Sequence, residues 1–375
     1  AGDRAGPAQP VRRRQVTAPN ERRQRPLTLA DFDYDLPTEL IAQTPLEPRD
    51  AARLLVVDRS TATLHHAMVR DLADWLGSGD LLVANNSRVL PARLHGVKRD
   101  TGAKIELLLL RKEADGAWAA LARPAKKLKP GVEIVVPPHP QASGTRRDLV
   151  ATVEAVGDEG EVRVRLADEN SIALADFGET PLPPYIRTPL ADAERYQTVY
   201  ASAPGSAAAP TAGLHFTPAL LARLRDAGLG WAEVTLHVGL DTFRPVTEER
   251  IAAHRIHREW CEVSDATARA VAATKARGGR AVAIGTTAAR TLETLGRDWN
   301  PERPAGMTTM SDVFITPGFE WTIVDAMLTN FHLPRSTLLM MISSFAGRDL
   351  TRRAYDAAIA AAYRFYSFGD AMLIR

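Results

Sequence analysis

Residues 205–217 read Gly-Ser-Ala-Ala-Ala-Pro-Thr-Ala-Gly-Leu-His-Phe-Thr, and residues 231–239 read Trp-Ala-Glu-Val-Thr-Leu-His-Val-Gly. The first stretch is a loop of small residues, which let a ligand approach the backbone closely. Thr217 followed by Pro218 predicts a helix start, because threonine caps helices and proline fits their first position. The second stretch reads as a buried strand that ends at His237. Thr211, His215 and His237 therefore bring donors and acceptors to one predicted loop-and-strand junction.

Strand and helix patterns alternate around this junction. Residues 280–284 form an apolar run that leads into Gly285-Thr286-Thr287, and a helical pattern follows from Ala288 to Leu295. Alternation of this kind predicts parallel strands joined by crossover helices. We therefore expect an α/β fold, a distorted TIM-like barrel built from the discontinuous residues 29–87 and 177–375.

The pattern of apolar residues changes between residues 88 and 176. Six short apolar runs follow one another at spacings of roughly 10 to 15 residues, which is typical of a small closed barrel. This segment predicts an inserted antiparallel β-barrel domain. It contains a basic loop that is either a solvated turn or an RNA-phosphate-binding patch, and its candidate residues are Arg123, Lys126, Lys127 and Lys129.

Composition excludes several classes of protein. The only cysteine, Cys261, leaves no intrachain disulfide and no multi-thiolate metal site. The longest apolar run, residues 337–342, is far shorter than the about 20 residues that cross a bilayer. No signal segment opens the chain, so we expect a cytoplasmic protein without a membrane partner. Residues 1–28 carry seven arginines and two acidic residues, which predicts a disordered tail or an arm that grips nucleic acid.

Four polar clusters follow the ends of predicted strands, where α/β folds gather their chemistry. A single cluster is usually a cap or a turn, whereas four at equivalent positions favour one shared pocket. The clusters are residues 85–88, residues 237–245, Gly285-Thr286-Thr287 with Arg290 and Glu293, and residues 329–334.

The histidines raise the question of a metal. Five of the nine lie in the second half of the chain, namely His215, His237, His254, His257 and His332. Neither a His-x-His pair nor a helical His-Glu-x-x-His motif is present, so acid–base work by a histidine is favoured and no metal is expected. The sequence also contains no Gly-x-Gly-x-x-Gly, P-loop or Gly-x-Ser-x-Gly motif, which removes the usual dinucleotide, nucleotide-hydrolysis and serine-hydrolase interpretations.

Nine segments in a fixed order resemble the S-adenosylmethionine:tRNA ribosyltransferase-isomerases of queuosine biosynthesis. The resemblance extends from about Asp31 to Ile374 and leaves out only the arginine-rich tail. The segments are Asp33-Tyr34-Asp35-Leu36-Pro37, Leu40-Ile41-Ala42-Gln43, Pro48-Arg49-Asp50, Gly79-Asp80-Leu81-Leu82-Val83, Pro181-Leu182-Pro183-Pro184-Tyr185-Ile186, Tyr196-Gln197-Thr198-Val199-Tyr200, the Ala-Pro-Thr-Ala-Gly-Leu-His-Phe run at 209–216, Thr329-Asn330-Phe331-His332-Leu333-Pro334 and Gly369-Asp370-Ala371-Met372.

The resemblance implies a transferase that uses S-adenosylmethionine as a substrate and needs no cofactor. Its ribosyl part passes to 7-aminomethyl-7-deazaguanine in a tRNA anticodon, giving epoxyqueuosine with release of adenine and methionine. The implied partners are S-adenosylmethionine and the precursor tRNA, and we expect a monomer. The family's fold, an α/β barrel-like domain with an inserted β-barrel, agrees with the pattern of the sequence.

Candidate roles follow for the polar clusters. His215, His237 and His332 are candidates for the proton transfers, without assignment of individual steps. Candidates for the methionine carboxylate or an RNA phosphate are Arg88, Arg244 and Arg290. Candidates that would orient ribose hydroxyls or a base edge are Asn85, Asn86, Thr211, Thr286, Thr287 and Asn330.

The chain departs from the family pattern at three places. Asp241 occupies the second glycine of a Gly-x-Gly-Thr-Phe motif, Thr316 replaces a tyrosine, and Arg258 replaces a serine. These departures keep open an RNA-binding relative with altered chemistry, and a metal-dependent hydrolase on the same barrel is the alternative from another enzyme class.

Overall fold

The computed structural model describes residues 25–126, 128–139, 142, 147–167, 173–239, 249, 251, 254 and 256–375. Its strands are β1 (Arg53–Asp58), β2 (Thr63–Met68), β3 (Leu81–Asn85), β4 (Ser87–Val89), β5 (Arg93–Lys98), β6 (Lys104–Lys112), β7 (Trp118–Arg123), β8 (Glu133–Val136), β9 (Leu149–Val156), β10 (Glu161–Leu166), β11 (Gly178–Glu179), β12 (Ala203–Ser206), β13 (Gly230–Leu236), β14 (Glu259–Val263), β15 (Ala281–Ile284), β16 (Met307–Ser311), β17 (Ala326–Asn330) and β18 (Ala371–Ile374). Its α-helices are α1 (Pro218–Asp226), α2 (Asp265–Ala276), α3 (Gly285–Gly296), α4 (Thr337–Ala346) and α5 (Arg348–Ala360). Short 3-10 helices cover Leu29–Phe32, Thr38–Leu40, Arg49–Ala51, Val69–Asp74, Leu174–Asp176, Ala193–Tyr196 and Thr211–His215.

A nine-stranded mixed sheet organises most of the chain, in the order β16-β14-β13-β3-β15-β17-β18-β1-β2. Its centre consists of four neighbouring parallel strands, β13, β3, β15 and β17. Strands β14 and β18 run antiparallel to β13 and β17, and β1 lies parallel to β18. The carboxyl ends of the central strands therefore meet at one edge of the sheet, which we call the carboxyl edge.

The expected TIM-like barrel is wrong. In the described part of the chain the large sheet is open and ends at β16 and β2, so it does not close on itself. The alternation of strand and helix patterns predicted parallel neighbours joined by single helices, but two helices, α4 and α5, lie between β17 and β18 and pack against each other. A helical hairpin returns the chain to the edge it left, and β18 consequently runs antiparallel to β17.

Helix starts follow the capping signals of the sequence. The hydroxyl of Thr217 accepts from the backbone N–H of Leu220 at 3.0 Å, and Pro218 occupies the first turn of α1. Ser264 and Ser336 cap α2 and α4 in the same way. In contrast, α3 begins at Gly285, earlier than expected from the helical pattern, and no side chain caps it.

The sheet buries a core on each face. Val83 and Met327 contribute to one core, under α2, α3, α4 and α5. Leu82 and Leu328 contribute to the other, under α1 and the Val69–Asp74 turn. Burial on both faces explains why β3 and β15 read as continuous apolar runs rather than alternating ones. None of the described helices is long and apolar enough to span a membrane.

The inserted segment forms the expected small barrel. Strands β5, β6, β7, β10, β9 and β8 pair in that order and all antiparallel. Pairing of Val97 with Val135 and of Lys98 with Ile134 closes β5 onto β8. These strands fall on the six apolar runs of the sequence, and β11 adds to β5 outside the closed ring.

Candidate functional site

The carboxyl edge brings together the four polar clusters that the sequence placed after strand ends. They follow β3, β13, β15 and β17, which are adjacent in the sheet. Strands β18 and β1 begin at the same edge, since Ala371 pairs with both Asn330 and Leu54. The expectation of equivalent topological positions is therefore confirmed for the described parts of these clusters.

The small-residue loop runs along this edge. At one end the backbone N–H of Ala207 donates to the oxygen of Val238, and the hydroxyl of Ser206 accepts from the N–H of Val238, both at 3.0 Å. Further along, Ala212 touches Gly285, where an added Cβ would approach the Ala212 methyl group to 3.4 Å. The loop thus passes from the end of β13 to the start of α3, and its small residues keep it close to the strand ends.

His237 is held between an aromatic ring and a glycine. Its ring stacks on Trp260, with centroids 5.0 Å apart and planes 17° from parallel. On the other side lies Gly205, with a φ of +146°, and a Cβ there would meet the imidazole Nε2 at 2.6 Å. Only glycine fits that position. Burial lowers the pKa of His237, so the ring is neutral at neutral pH.

A buried ion pair supports the segment after His237. Glu259 accepts from the backbone N–H of Gly239 at 3.0 Å with one carboxylate oxygen, and from Arg290 at 2.5 Å with the other. The two side chains are only 7% and 8% exposed. Glu259 was not singled out from the sequence, because its partners Gly239 and Arg290 lie far from it along the chain. One feature of the sequence could have indicated it: Glu259 is a charged residue at the start of a strand, β14, which pairs with the strand that leads to His237.

The arginine candidates differ in their surroundings. Arg290 also donates to the backbone oxygens of His257 and Ser311, so its guanidinium is engaged inside the protein. Arg88 pairs with Glu194 on the surface. Arg244 lies outside the described residues. Substrate binding by these arginines stays a prediction.

Two of the amide candidates join neighbouring strands. Asn85 is fully buried, donates to the oxygen of Leu236 and accepts from its N–H, each at 3.0 Å. Asn86 donates to Glu233 and accepts from the hydroxyl of Thr235. These bonds lock β3 to β13 at the carboxyl edge, and a role for either residue in ribose binding stays a prediction.

The threonine candidates surround the start of α3. Thr286 is buried in the first turn, and the hydroxyl of Thr287 is buried without a hydrogen-bond partner among the described residues. Thr211 begins the 3-10 helix that leads to His215 and is partly exposed. Because no side chain caps α3, backbone N–H groups of its first turn are available beside these hydroxyls.

His332 is tied into the end of β17. Its Nε2 lies 2.8 Å from the hydroxyl of Thr329, and its backbone N–H donates to the Tyr355 hydroxyl at 2.9 Å. The Tyr34 hydroxyl donates to its carbonyl oxygen. Burial lowers the pKa of His332 to about 3, so this ring is also neutral at neutral pH.

His215 ends the 3-10 helix Thr211–His215 and Asn330 ends β17, and both side chains are buried. His215 is 4% exposed, and burial lowers its pKa to about 4, while Asp370 and the Asn330 side chain act in the opposite direction. Its Nε2 and the Asn330 Oδ1 are both buried without hydrogen-bond partners in the described structure.

A cavity opens beside His215. Its lining combines apolar walls with two arginines, and consists of Pro45, Leu46, Arg49, Ala52, Arg195, Leu214, His215, Ser367, Phe368 and Gly369. Within the described ranges, no group of three or more His, Cys, Asp or Glu side chains could hold a metal ion.

The basic loop of the barrel is open to solvent. Arg123, Lys126 and Lys129 are all exposed, whereas Lys127 lies outside the described residues. Exposed cations are suited to contact the phosphates of a nucleic acid. Contact with RNA by this loop stays a prediction.

Comparisons with known proteins identify close relatives. A family model described as "Queuosine biosynthesis protein" matches residues 29–374. An S-adenosylmethionine:tRNA ribosyltransferase-isomerase of Dehalococcoides mccartyi is 50% identical over 345 residues, which cover 92% of this chain and 99% of that protein. The enzyme of the same name from Thermotoga maritima is 48% identical over 348 residues, 93% of this chain and all of that protein. A crystal structure of S-adenosylmethionine tRNA ribosyltransferase from Thermotoga maritima is 39% identical, with a TM-score of 0.53 over 92% of this chain and 100% of that one.

Proposed function

The chain belongs to the queuosine biosynthesis protein family, and from this premise we propose that it is an S-adenosylmethionine:tRNA ribosyltransferase-isomerase. The observation that carries the proposal is the extent of the identity. About half of the residues are identical over 92% of the chain, which includes the sheet, its carboxyl edge and the barrel. The relatives named for this activity are matched over nearly their whole length.

The reaction moves the ribosyl part of S-adenosylmethionine onto 7-aminomethyl-7-deazaguanine in a tRNA anticodon. The product is epoxyqueuosine, and adenine and methionine leave. The positive sulfonium acidifies the neighbouring C5′ proton, so a neutral base beside it can take that proton. Burial lowers the pKa of the three candidate histidines His215, His237 and His332, which keeps each ring in the neutral form that can accept a proton but also makes it a weaker base.

The lowered pKa values also bear on the departure of adenine. A histidine with a folded pKa of about 4, such as His215, becomes a strong acid once it has accepted a proton. It can then return that proton to a leaving group, so one side chain can serve first as base and then as acid. A histidine that first accepts a proton and then donates it can protonate the leaving adenine, although the described histidines are uncharged before the reaction starts.

The carboxyl edge supplies contacts for the nucleoside. The loop at residues 205–215 lets it approach the backbone, and the uncapped start of α3 offers N–H groups beside Thr286 and Thr287. Unpaired anticodon bases can be splayed out and read in a pocket. Phosphates of the tRNA would contact Arg123, Lys126, Lys127 and Lys129 on the barrel loop.

We further propose that the enzyme acts in the cytoplasm as a monomer, without a metal ion or a cofactor. The sequence carries no metal-ligand motif, and the sulfonium substrate supplies its own electrophilic centre. A chelator should therefore leave adenine release unchanged, whereas loss of activity would favour a metal-dependent reaction.

The direct test is incubation with S-adenosylmethionine and tRNA that carries the precursor base. Adenine and methionine are expected to appear in equal amounts, and tRNA lacking the precursor base is the control. Methyl transfer to the tRNA, or turnover without adenine, would contradict the proposed function.

A further inference from the structure

The cavity beside His215 lies at the carboxyl edge of the large sheet. Two of its lining residues, Ala52 and Gly369, come shortly before β1 and β18, and both strands begin at that edge. Most of its walls are apolar, and its polar lining consists of Arg49, Arg195, His215 and Ser367. The cavity therefore faces the same edge as the loop at residues 205–215.

Buried nitrogen atoms without partners gather around this cavity. Nε of Arg195 and Nε2 of His215 are buried without a hydrogen-bond partner among the described residues, and both residues line the cavity. Nη1 of Arg364 is equally unpartnered, and Nη2 of the same residue donates to the oxygen of Thr44, beside the lining residue Pro45. Because a buried donor without an acceptor is unfavourable, such a group of atoms indicates a ligand that accepts hydrogen bonds.

The guanidinium of Arg49 is bound by backbone oxygens rather than by a carboxylate. It donates to the oxygen of Glu194 at 3.0 Å and to that of Gln197 at 2.7 Å. Two nearby carboxylates act elsewhere, since that of Asp192 accepts from a backbone N–H of its own turn and that of Glu194 pairs with Arg88. Carbonyl oxygens satisfy the N–H groups of Arg49 but do not neutralise its charge.

Arg364 is also without an ion pair in the described structure. The carboxylate of Asp370 accepts from the backbone N–H of Arg364 at 2.8 Å, and it is bonded by the backbone and guanidinium of Arg53. Arg195 does have a carboxylate partner, but this residue, Glu47, has a side chain that is 72% exposed. The cavity therefore has positive charge that no buried carboxylate pairs with, which favours an anionic ligand.

We propose that this cavity binds the carboxylate of the methionine part of S-adenosylmethionine, held by Arg49, Arg195 and Arg364. The proposal rests on the proposed function. Guanidinium groups recognise oxyanions in general, both carboxylates and phosphates. A carboxylate at the end of a short aliphatic chain fits better here, because the walls are apolar and the closed part has room only for water-sized groups. A phosphate of the tRNA backbone carries a ribose on each side.

The position agrees with a nucleoside bound at the start of α3. The 3-10 helix Thr211–His215 begins beside that start, where Ala212 touches Gly285, and it ends at the cavity. Strand β15, which leads into α3, is separated from β18 by β17 alone. Two strand spacings are about 9–10 Å, a distance that the ribose and the methionine chain can bridge together along the edge.

The test compares S-adenosylmethionine with its decarboxylated analogue, in which a hydrogen atom replaces the carboxylate. Equilibrium dialysis gives both dissociation constants for the full-length protein in the presence of tRNA that lacks the precursor base, so that no transfer occurs. The wild type should bind S-adenosylmethionine roughly tenfold to hundredfold more tightly than the analogue, as expected for a charge-assisted hydrogen bond. Arg364→Met and Arg195→Met should each remove roughly tenfold or more of this preference, with the dissociation constant of the analogue within about threefold of the wild type.

Arg59→Met is the matched control. Arg59 follows the opposite end of β1, and its guanidinium likewise donates to backbone oxygens, those of Asp325 and Phe345. Its replacement should leave both dissociation constants unchanged. Urea unfolding of the three variants separates a loss of binding from a loss of folding.

Equal weakening of both ligands in Arg364→Met and Arg195→Met, or a wild type that binds the two alike or not at all, would overturn the carboxylate site. Weaker tRNA binding with a smaller salt dependence, and an unchanged constant for S-adenosylmethionine, would assign the cavity to an RNA phosphate and also overturn it. If the wild type releases no adenine from the correct substrates, the proposed function fails. The dialysis needs no turnover, so the two failures are distinguishable.

Discussion

Replacing Glu259 with alanine tests whether a buried charge pair supports the histidine-bearing strand end. The change leaves the Arg290 guanidinium 8% exposed without its carboxylate, and it leaves the backbone N–H of Gly239 without its acceptor. Two backbone carbonyl oxygens still bind the guanidinium but do not neutralise its charge.

The magnitude follows from these contacts. An uncompensated buried charge costs about 3–5 kcal/mol, and the lost bond to Gly239 adds about 1 kcal/mol. Urea unfolding should therefore show the free energy of unfolding lowered by about 4–6 kcal/mol in Glu259→Ala. The double variant Glu259→Leu with Arg290→Met should recover much of this loss, because no charge is then left buried.

Arg297→Ala is the matched control. Arg297 pairs with Asp312 at 2.6 Å, but the two side chains are 55% and 51% exposed. An exposed pair contributes about 0–1 kcal/mol. The reasoning is refuted if Glu259→Ala lies within about 1 kcal/mol of the wild type, or if the control loses as much.

Three further outcomes are expected. Gly205→Ala should displace the His237 ring, since its Cβ would lie 2.6 Å from Nε2, and the single-turnover rate should fall about tenfold or more; an unchanged rate would show that the clamp is dispensable. The free energy of unfolding should decline as the pH falls from 6.5 to about 4, because His215 takes up a proton in the unfolded chain but stays neutral when buried in the folded one. His215→Gln should remove about 3 kcal/mol of that decline. An unchanged dependence of the unfolding free energy on pH in this variant would contradict the prediction. Alanine at the three exposed barrel-loop cations should weaken tRNA binding, and the slope of log binding constant against log salt concentration should fall by about two. Arg99→Ala, which removes the partner of Glu133, is the control and should change neither quantity. Equal effects of the two variants would exclude the loop as the RNA contact. The three loop residues are Arg123, Lys126 and Lys129.

Local signals in the sequence predicted local structure well. Thr217 and Pro218 gave the start of α1, and the six apolar runs gave the strands of the closed barrel. A helix cap and a strand both depend on residues that are neighbours in the sequence, so their capping residues and apolar runs can be read from the sequence itself.

The shape of the large sheet depended on distant contacts. Strands β14 and β16 lie at one edge, and the sequence Met-Thr-Thr-Met-Ser of β16 is too polar to predict a strand by its apolar pattern. The direction of β18 depends on how α4 and α5 pack, which no local pattern encodes. For these reasons an open mixed sheet was mistaken for a barrel.

The candidate site also has features that the local sequence predicted and features that depend on distant contacts. Its position at strand ends was predictable, because polar clusters followed each apolar run. The pairing of Arg290 with Glu259, and the bond from Asn85 to Leu236, join residues far apart in the chain. Such pairs show which polar groups are engaged inside the fold, and a sequence pattern alone does not.

The mass of the modified nucleoside tests the central claim most directly. After reaction of the precursor tRNA with S-adenosylmethionine, digestion and mass spectrometry should give a nucleoside with the mass of epoxyqueuosine. Carbon label placed in the ribose of S-adenosylmethionine should appear in that nucleoside, and label placed in its methyl group should not. A nucleoside heavier by a single methyl group, or an unmodified precursor, would contradict the account.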